Sequence, residues 1–155
     1  MDAEQARTRI AAVRAAGGKV STEELDELWA ALETVRPEEI LGSWKGSEFV
    51  SGHRAEGRLA RANWYGKTFR SVSDAKPLIC RDADGELFSD VRLGKGEASL
   101  WMVEFRGEST ATMVYDGMPV LDHFKRIDGS TLLGVMNGKD ALDDGRHYYF
   151  VLERD

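Results

Sequence analysis

Two hydrophobic periods divide the chain near residue 41. Before that point, Ala6, Ile10, Val13 and Gly17 recur at i, i+4, i+7 and i+11, the spacing of one helix face. Gly17-Gly18 then stops the helix, because glycine reaches the left-handed backbone conformation that ends it. A second helix opens at Ser21. Its hydroxyl can cap the backbone while Glu24 reaches back from three residues on, and Val20 and Leu25 occupy the two positions of a hydrophobic staple. Leu25, Leu28, Trp29 and Leu32 form one apolar stripe, and Pro37 ends or restarts the helix. Residues 1–40 therefore predict a helical hairpin whose apolar face needs a surface to lie on, either the rest of the chain or a second copy acting as a homodimer partner.

Beyond residue 41 the period falls to two. Runs of β-forming residues near 42–50, 66–72, 77–82, 86–92, 98–106, 109–116, 119–127, 131–137 and 147–154 alternate with turn signals such as Asp82-Ala83-Asp84-Gly85, Arg106-Gly107 and Asp144-Gly145. Of 16 glycines, 14 lie in this part, as a chain of hairpins requires. Nine strands laid flat would leave long unpaired edges, so residues 41–155 predict a closed antiparallel barrel. Residues 53–62, HRAEGRLARA, interrupt the strands and predict a short helix carrying Arg54, Arg58 and Arg61 on one face. The fold class is mainly β, a closed antiparallel barrel with an N-terminal helical hairpin.

Composition narrows the function. At 155 residues the chain is one domain's worth of core. A net charge of −6 repels a polyphosphate backbone, so nucleic acid is not an expected partner. The single cysteine, Cys80, allows neither an internal disulfide nor a thiolate metal site, which fits a reducing, cytoplasmic compartment. No apolar run of about 18 residues predicts a transmembrane segment, so membrane association would be limited to transient surface contact, and the acidic start MDAEQARTRI is unlike a secretory signal.

No nucleophile elbow, zinc-protease helix or phosphate loop is present. GSWKG, Gly42 to Gly46, is informative: two glycines flanking an indole at the start of the first barrel strand let backbone and ring approach a neighbour closely. GSWKG resembles the strand-opening G-x-W of calycin-type barrels, and that resemblance implies that Trp44 is an end-plug of the barrel, with Arg154 from the far end of the chain over its ring. GSWKG is followed in order by SGH at 51–53, WYGK at 64–67, KPLICRD at 76–82, VEFRGESTATMVYD at 103–116, PVLDHFKRID at 119–128, TLLGVMN at 131–137 and YYFVLERD at 148–155. Together these segments resemble the GXWXG family, whose C-terminal half is a domain of unknown function. The resemblance runs from about residue 35 to the end. It implies a calycin- or lipocalin-like barrel with an internal cavity for a lipid or another apolar small molecule, and no reaction is assigned to the family; no cofactor is expected. Two positions depart from the pattern: Asn137 stands where an Asp follows Met136, and Arg54-Ala55-Glu56 replace a Gly-Pro-rich stretch.

Residues 54–70 hold Arg54, Arg58, Arg61, Lys67 and Arg70 against Glu56 alone, in an otherwise acidic protein. Such a cluster beside Trp64 and Tyr65 suits the head of an amphipathic anion such as a fatty acid. On the strand 119–127, Val120, Asp122, Phe124 and Arg126 share one face, and Leu121, His123, Lys125 and Ile127 the other. If the first face is interior, Asp122 and Arg126 must pair with each other or with a ligand. Because neighbours on a strand point oppositely, Asp122 and His123 cannot act as a dyad within one cavity. The candidate ligand-contacting residues are therefore His53, Arg58, Trp64, Tyr65, Lys67, Tyr115, Asp122, Phe124 and Arg126. The expected function is a carrier or sensor for an apolar or amphipathic small molecule. The alternatives are an isomerase, cyclase or hydrolase using Asp122 or His123 with Tyr115, a barrel holding haem through a histidine, or an interaction module.

Overall fold

The outward apolar residues of the last barrel strands and the stripe of the N-terminal helices bury each other. The computed structural model describes residues 1–155. Helix α1 spans Ala3–Ala15 and α2 spans Thr22–Ala31. Ile10 and Val13 of α1 with Leu25, Leu28 and Trp29 of α2 lie on Ile127, Leu133, Val135, Tyr149 and Val151. This is a second core, outside the barrel wall.

Capping differs in detail from the sequence expectation. Ser21 Oγ accepts from the Glu24 amide at 3.1 Å. The reciprocal bond is not made, because the Glu24 carboxylate takes the Arg9 guanidinium of α1 through two bonds of 2.6 and 2.9 Å. The full capping box forms instead on α1, between Asp2 and Gln5. Helix α2 ends at Ala31, and the chain continues as the short strand β1 (Glu33–Thr34) before Pro37 opens a 3-10 turn, Pro37–Ile40. Sequence patterning missed β1: two residues are too few to show a period, and it forms only because β8 offers it an edge.

The other strands are β2 (Gly42–Glu48), β3 (Trp64–Ser71), β4 (Asp74–Arg81), β5 (Leu87–Ser89), β6 (Ala98–Phe105), β7 (Glu108–Tyr115), β8 (Val120–Asp128), β9 (Thr131–Gly138) and β10 (Tyr148–Arg154). Eight of them close an antiparallel barrel in the order β2-β3-β4-β6-β7-β8-β9-β10, with β10 back on β2. Strand β5 adds to β4 outside this ring. The β4–β6 join is the thinnest, with Ala75 opposite Ala98 as its paired position. Phe69, Met113, Phe124, Leu132 and Leu152 fill much of the interior. An eight-stranded barrel is just wide enough for such side chains or for one small ligand.

The segment between β2 and β3 is less helical than expected. Only Arg58–Arg61 (α3) is helical, because Gly57 adopts a left-handed backbone, φ +82°, and residues before it form turns. Arg54 therefore does not share a helix face with Arg58 and Arg61. No helix is long and apolar enough to cross a membrane.

Trp44 closes one end of the barrel. It is 2% exposed, its Nε1 donates to the Ile40 carbonyl at 2.9 Å, and the Arg154 guanidinium lies 4.4 Å from its ring centre. Arg154 also donates to the carbonyls of Leu41 and Glu39 at 2.8 and 2.9 Å, so the C-terminal strand pins the turn that leads into β2.

Candidate functional site

The other end of the interior is not filled. A chamber of about 150 Å³ lies there, lined mainly by hydrophobic groups. The barrel wall contributes Trp64, Leu78, Met136, Tyr148 and Phe150, and Ala55, Arg58 and Leu59 cover it from the segment around α3. Lys67, Tyr115 and Asp122 supply the polar chemistry.

Local irregularity places these groups. Trp64 and Lys67 are three residues apart and would face opposite sides of a regular strand. The β3–β4 register shifts on both sides of Gly66, and this irregularity lets both side chains line the chamber. Pro77, which has no amide hydrogen to give the ladder, lies in the irregular stretch. Its carbonyl accepts from Trp64 Nε1 at 3.2 Å and from Lys67 Nζ at 3.3 Å. Gly46 makes room for the indole, since a Cβ there would lie 2.0 Å from the Trp64 ring. Gly134 does the same for Phe150, at 2.4 Å.

Lys67 Nζ meets Asp122 Oδ2 at 3.0 Å, and both side chains are almost fully buried. The ammonium is also 5.6, 5.8 and 5.2 Å from the ring centres of Trp64, Tyr115 and Phe150, within cation–π range. Burial holds the Asp122 carboxyl above the usual carboxylate range, against the opposing charge and hydrogen bond of Lys67. Burial, reinforced by the Asp122 charge, pushes the Tyr115 phenol well above its ordinary value, so it stays protonated.

The cover is fastened by carboxylates. Glu48 accepts from Tyr148 Oη and from the Gly57 amide. Glu56 Oε1 accepts from the amides of Ser51, Gly52 and His53 and from the Ser51 hydroxyl. These bonds hold the Glu56 carboxyl low despite some burial.

Of the residues singled out from sequence, Arg58, Trp64, Lys67, Tyr115 and Asp122 meet at the chamber. The others do not. His53 is buried edge-on to Tyr148, 5.7 Å between ring centres, and its Nδ1 accepts from the Ala55 amide, so it anchors the cover. Tyr65 faces outward, its hydroxyl on the Asp155 carboxylate at 2.8 Å. Phe124 is packed beneath the chamber against Phe69 and Phe150. Arg126 pairs with Glu39 at 3.3 Å. The expected Asp122–Arg126 pair does not form, because four residues along a strand separate them by roughly 13 Å, and Asp122 takes its cation from across the barrel.

Arg54 is also committed elsewhere, donating through its amide to Asp143 and through its guanidinium to the Asp140 carbonyl. Arg61 and Arg70 are exposed and do not line the chamber. Sequence reasoning missed Tyr148, Phe150, Met136, Leu78, Ala55 and Leu59. The alternation of β10 puts Tyr148 and Phe150 on one face, the signal that could have found them.

The histidines lie outside the chamber. His123 is on the outer wall, stacked 4.2 Å from Phe105, with Thr112 Oγ1 at 2.8 Å and Asn137 Nδ2 at 3.1 Å. Asn137 therefore serves the outer face. His147 approaches Arg106 at 3.2 Å. With no imidazole on the chamber wall, the residues present do not fit a haem ligated there. No cluster of three His, Cys, Asp or Glu side chains that could hold a metal ion forms. Acid–base chemistry involving His123 is likewise removed from the chamber, leaving Asp122 and Tyr115.

The fold and site define a closed eight-stranded antiparallel barrel with one end plugged by an indole and the other opening on a small, largely apolar chamber. Within that class the chain belongs to the GXWXG family: residues 27–85 match the model described as GXWXG protein, and residues 96–154 match the Domain of unknown function (DUF4334). A crystal structure of a protein from Thermomonospora curvata is 35% identical, superposes with a TM-score of 0.89 and covers 97% of this chain and 99% of its own. No curated protein matches the chain.

Proposed function

We propose that the protein is a carrier or sensor that binds a small apolar or amphipathic molecule in the chamber beneath Ala55, Arg58 and Leu59. The observation that carries this reading is the chamber itself: about 150 Å³ of space walled by aromatic and aliphatic groups, with a few charged groups gathered on its lining. Lys67 and Asp122 balance each other's charge, so Arg58 at the cover is the cation left to orient an anionic head group.

Size refines the ligand. An apolar cavity of roughly 150 Å³ accommodates a molecule such as benzene, so a ring or a short chain fits and a full-length fatty-acid tail exceeds the space. A lipocalin-like role is kept here for a short amphiphile with a carboxylate or similar head.

The test is a calorimetric titration of cyclohexanecarboxylic acid and cyclohexylmethanol at two salt concentrations, in the wild type and in Arg58→Ala. Both ligands should bind the wild type. The substitution should weaken the acid by about tenfold, the scale of one charge-assisted contact, and leave the alcohol unchanged. Failure of both ligands to bind the wild type would overturn the reading and favour a scaffold role for the barrel.

A further inference from the structure

Seven lysines occur in the chain, and Lys67 is the one that lines the chamber. Lys125 is equally buried but lies on the outer wall, bonded to Glu108 and to the Trp29 carbonyl. Lys67 has a different setting. Its amine borders open space, is 5.2–5.8 Å from three ring centres, and has only Asp122 and the Pro77 carbonyl as polar partners. Two of its three N–H donors are thereby occupied.

We propose that Lys67 captures small, mostly apolar aldehydes or ketones in the chamber as an imine, with Asp122 carrying the protons. The inference rests on the reading of the chamber as a ligand site. A lysine desolvated among apolar groups is the usual setting for such a nucleophile, and Asp122 stands 3.0 Å away to take its proton.

The steps balance. A proton passes from the Lys67 ammonium to Asp122, and the freed lone pair attacks the carbonyl carbon, forming the C–N bond as the C=O π bond opens onto oxygen. Asp122 returns its proton to that oxygen, giving a hydroxyl on the former carbonyl carbon beside a nitrogen that still bears an extra proton. Asp122 takes this proton and hands it to the hydroxyl, which leaves as water while the nitrogen lone pair closes the C=N bond. The sum is ammonium plus carbonyl giving iminium plus water, with no oxidant or reductant. The iminium carries the same charge as the ammonium it replaces, so the pairing with Asp122 survives. Tyr115, protonated and lining the same chamber, is a further donor for the carbonyl oxygen.

The experiment incubates the full chain with benzaldehyde and sodium cyanoborohydride, counts reduced adducts by intact mass spectrometry and maps them by peptide analysis. Lys67 should be labelled about tenfold or more faster than any other lysine, a modest share of what preorganisation supplies, although Lys19, Lys45, Lys95 and Lys139 are exposed. Lys125 controls for burial alone. Benzyl alcohol, which cannot form an imine, should slow the labelling, and Lys67→Arg should abolish it. Label distributed over the exposed lysines with Lys67 blank would overturn the proposal even if the variant fails to fold. Calorimetric binding of benzyl alcohol without an adduct at Lys67 would overturn the imine while sparing the binding role; absence of both would remove the two together.

Discussion

The guanidinium of Arg154 lies 4.4 Å from the ring centre of Trp44, so the second-to-last residue of the chain covers the indole with which the first barrel strand begins. The pair joins β2 and β10 where Trp44 and Arg154 also sit opposite each other in the ladder. Trp44→Ala should cost about 3–5 kcal/mol, the scale for removing a buried large aromatic. Arg154→Ala should cost less, on the order of 1–2 kcal/mol for one cation–π contact with its accompanying hydrogen bonds. Urea denaturation of both variants checks the order, and an unchanged midpoint for Trp44→Ala would falsify the end-plug.

The Lys67–Asp122 pair separates a single from a double replacement. Asp122→Asn leaves a buried ammonium without its counter-charge and should destabilise by about 3–5 kcal/mol. Replacing both together, Lys67→Met with Asp122→Leu, should be near neutral or stabilising, because two desolvated charges disappear at once. Equal losses in the single and the double variant, read from chemical denaturation, would show that the pair does not act as a unit.

His123 sets an acid-side dependence. Burial first, then the positive charges at His147 and Arg106, lower its pKa from an ordinary 6.5 to about 4. The native state therefore favours the neutral imidazole, and its stabilising effect is complete above about pH 6.5 and lost as pH falls towards 4. Asp122, raised by burial, acts with the opposite sign in the acid range, so the wild type alone does not isolate His123. Stability measured from pH 7 to 4 should fall more steeply in the wild type than in His123→Gln; parallel curves would contradict this assignment.

The α2 cap offers a smaller effect. Ser21→Ala removes the acceptor of the Glu24 amide and should cost about 1 kcal/mol. Glu24→Gln should cost less, because its pairing with Arg9 is largely exposed. Thermal melts of the two variants compare the cap with the ion pair, and a larger loss in Glu24→Gln would mean that the helix-to-helix pairing dominates.

Period and turn chemistry were enough for most of the fold. The alternation from residue 42 onward, cut by hairpin turns such as Arg106-Gly107, where both residues adopt positive φ, located the barrel strands because each signal is local. The Trp44–Arg154 stack was expected from the resemblance of GSWKG to the strand-opening motif of calycin-type barrels, and the structure forms it. The chamber was legible only in part. Alternation put Asp122 and Phe124 on one face, but not which cation Asp122 would take, because Lys67 is 55 positions earlier in the chain and reaches it only across the closed barrel. The irregularity at Gly66 that admits Trp64 and Lys67 to the same chamber breaks the period from which a reader of sequence works. Glu24 turned to Arg9 and Arg126 to Glu39 for the same reason: a long charged side chain has several partners within reach, and only the packing of whole elements decides which one arrives. Backbone preference and hydrophobic period are properties of neighbouring residues and are therefore written along the chain. A cavity is the volume left where distant side chains fail to fill space, and that volume exists only once the barrel has closed.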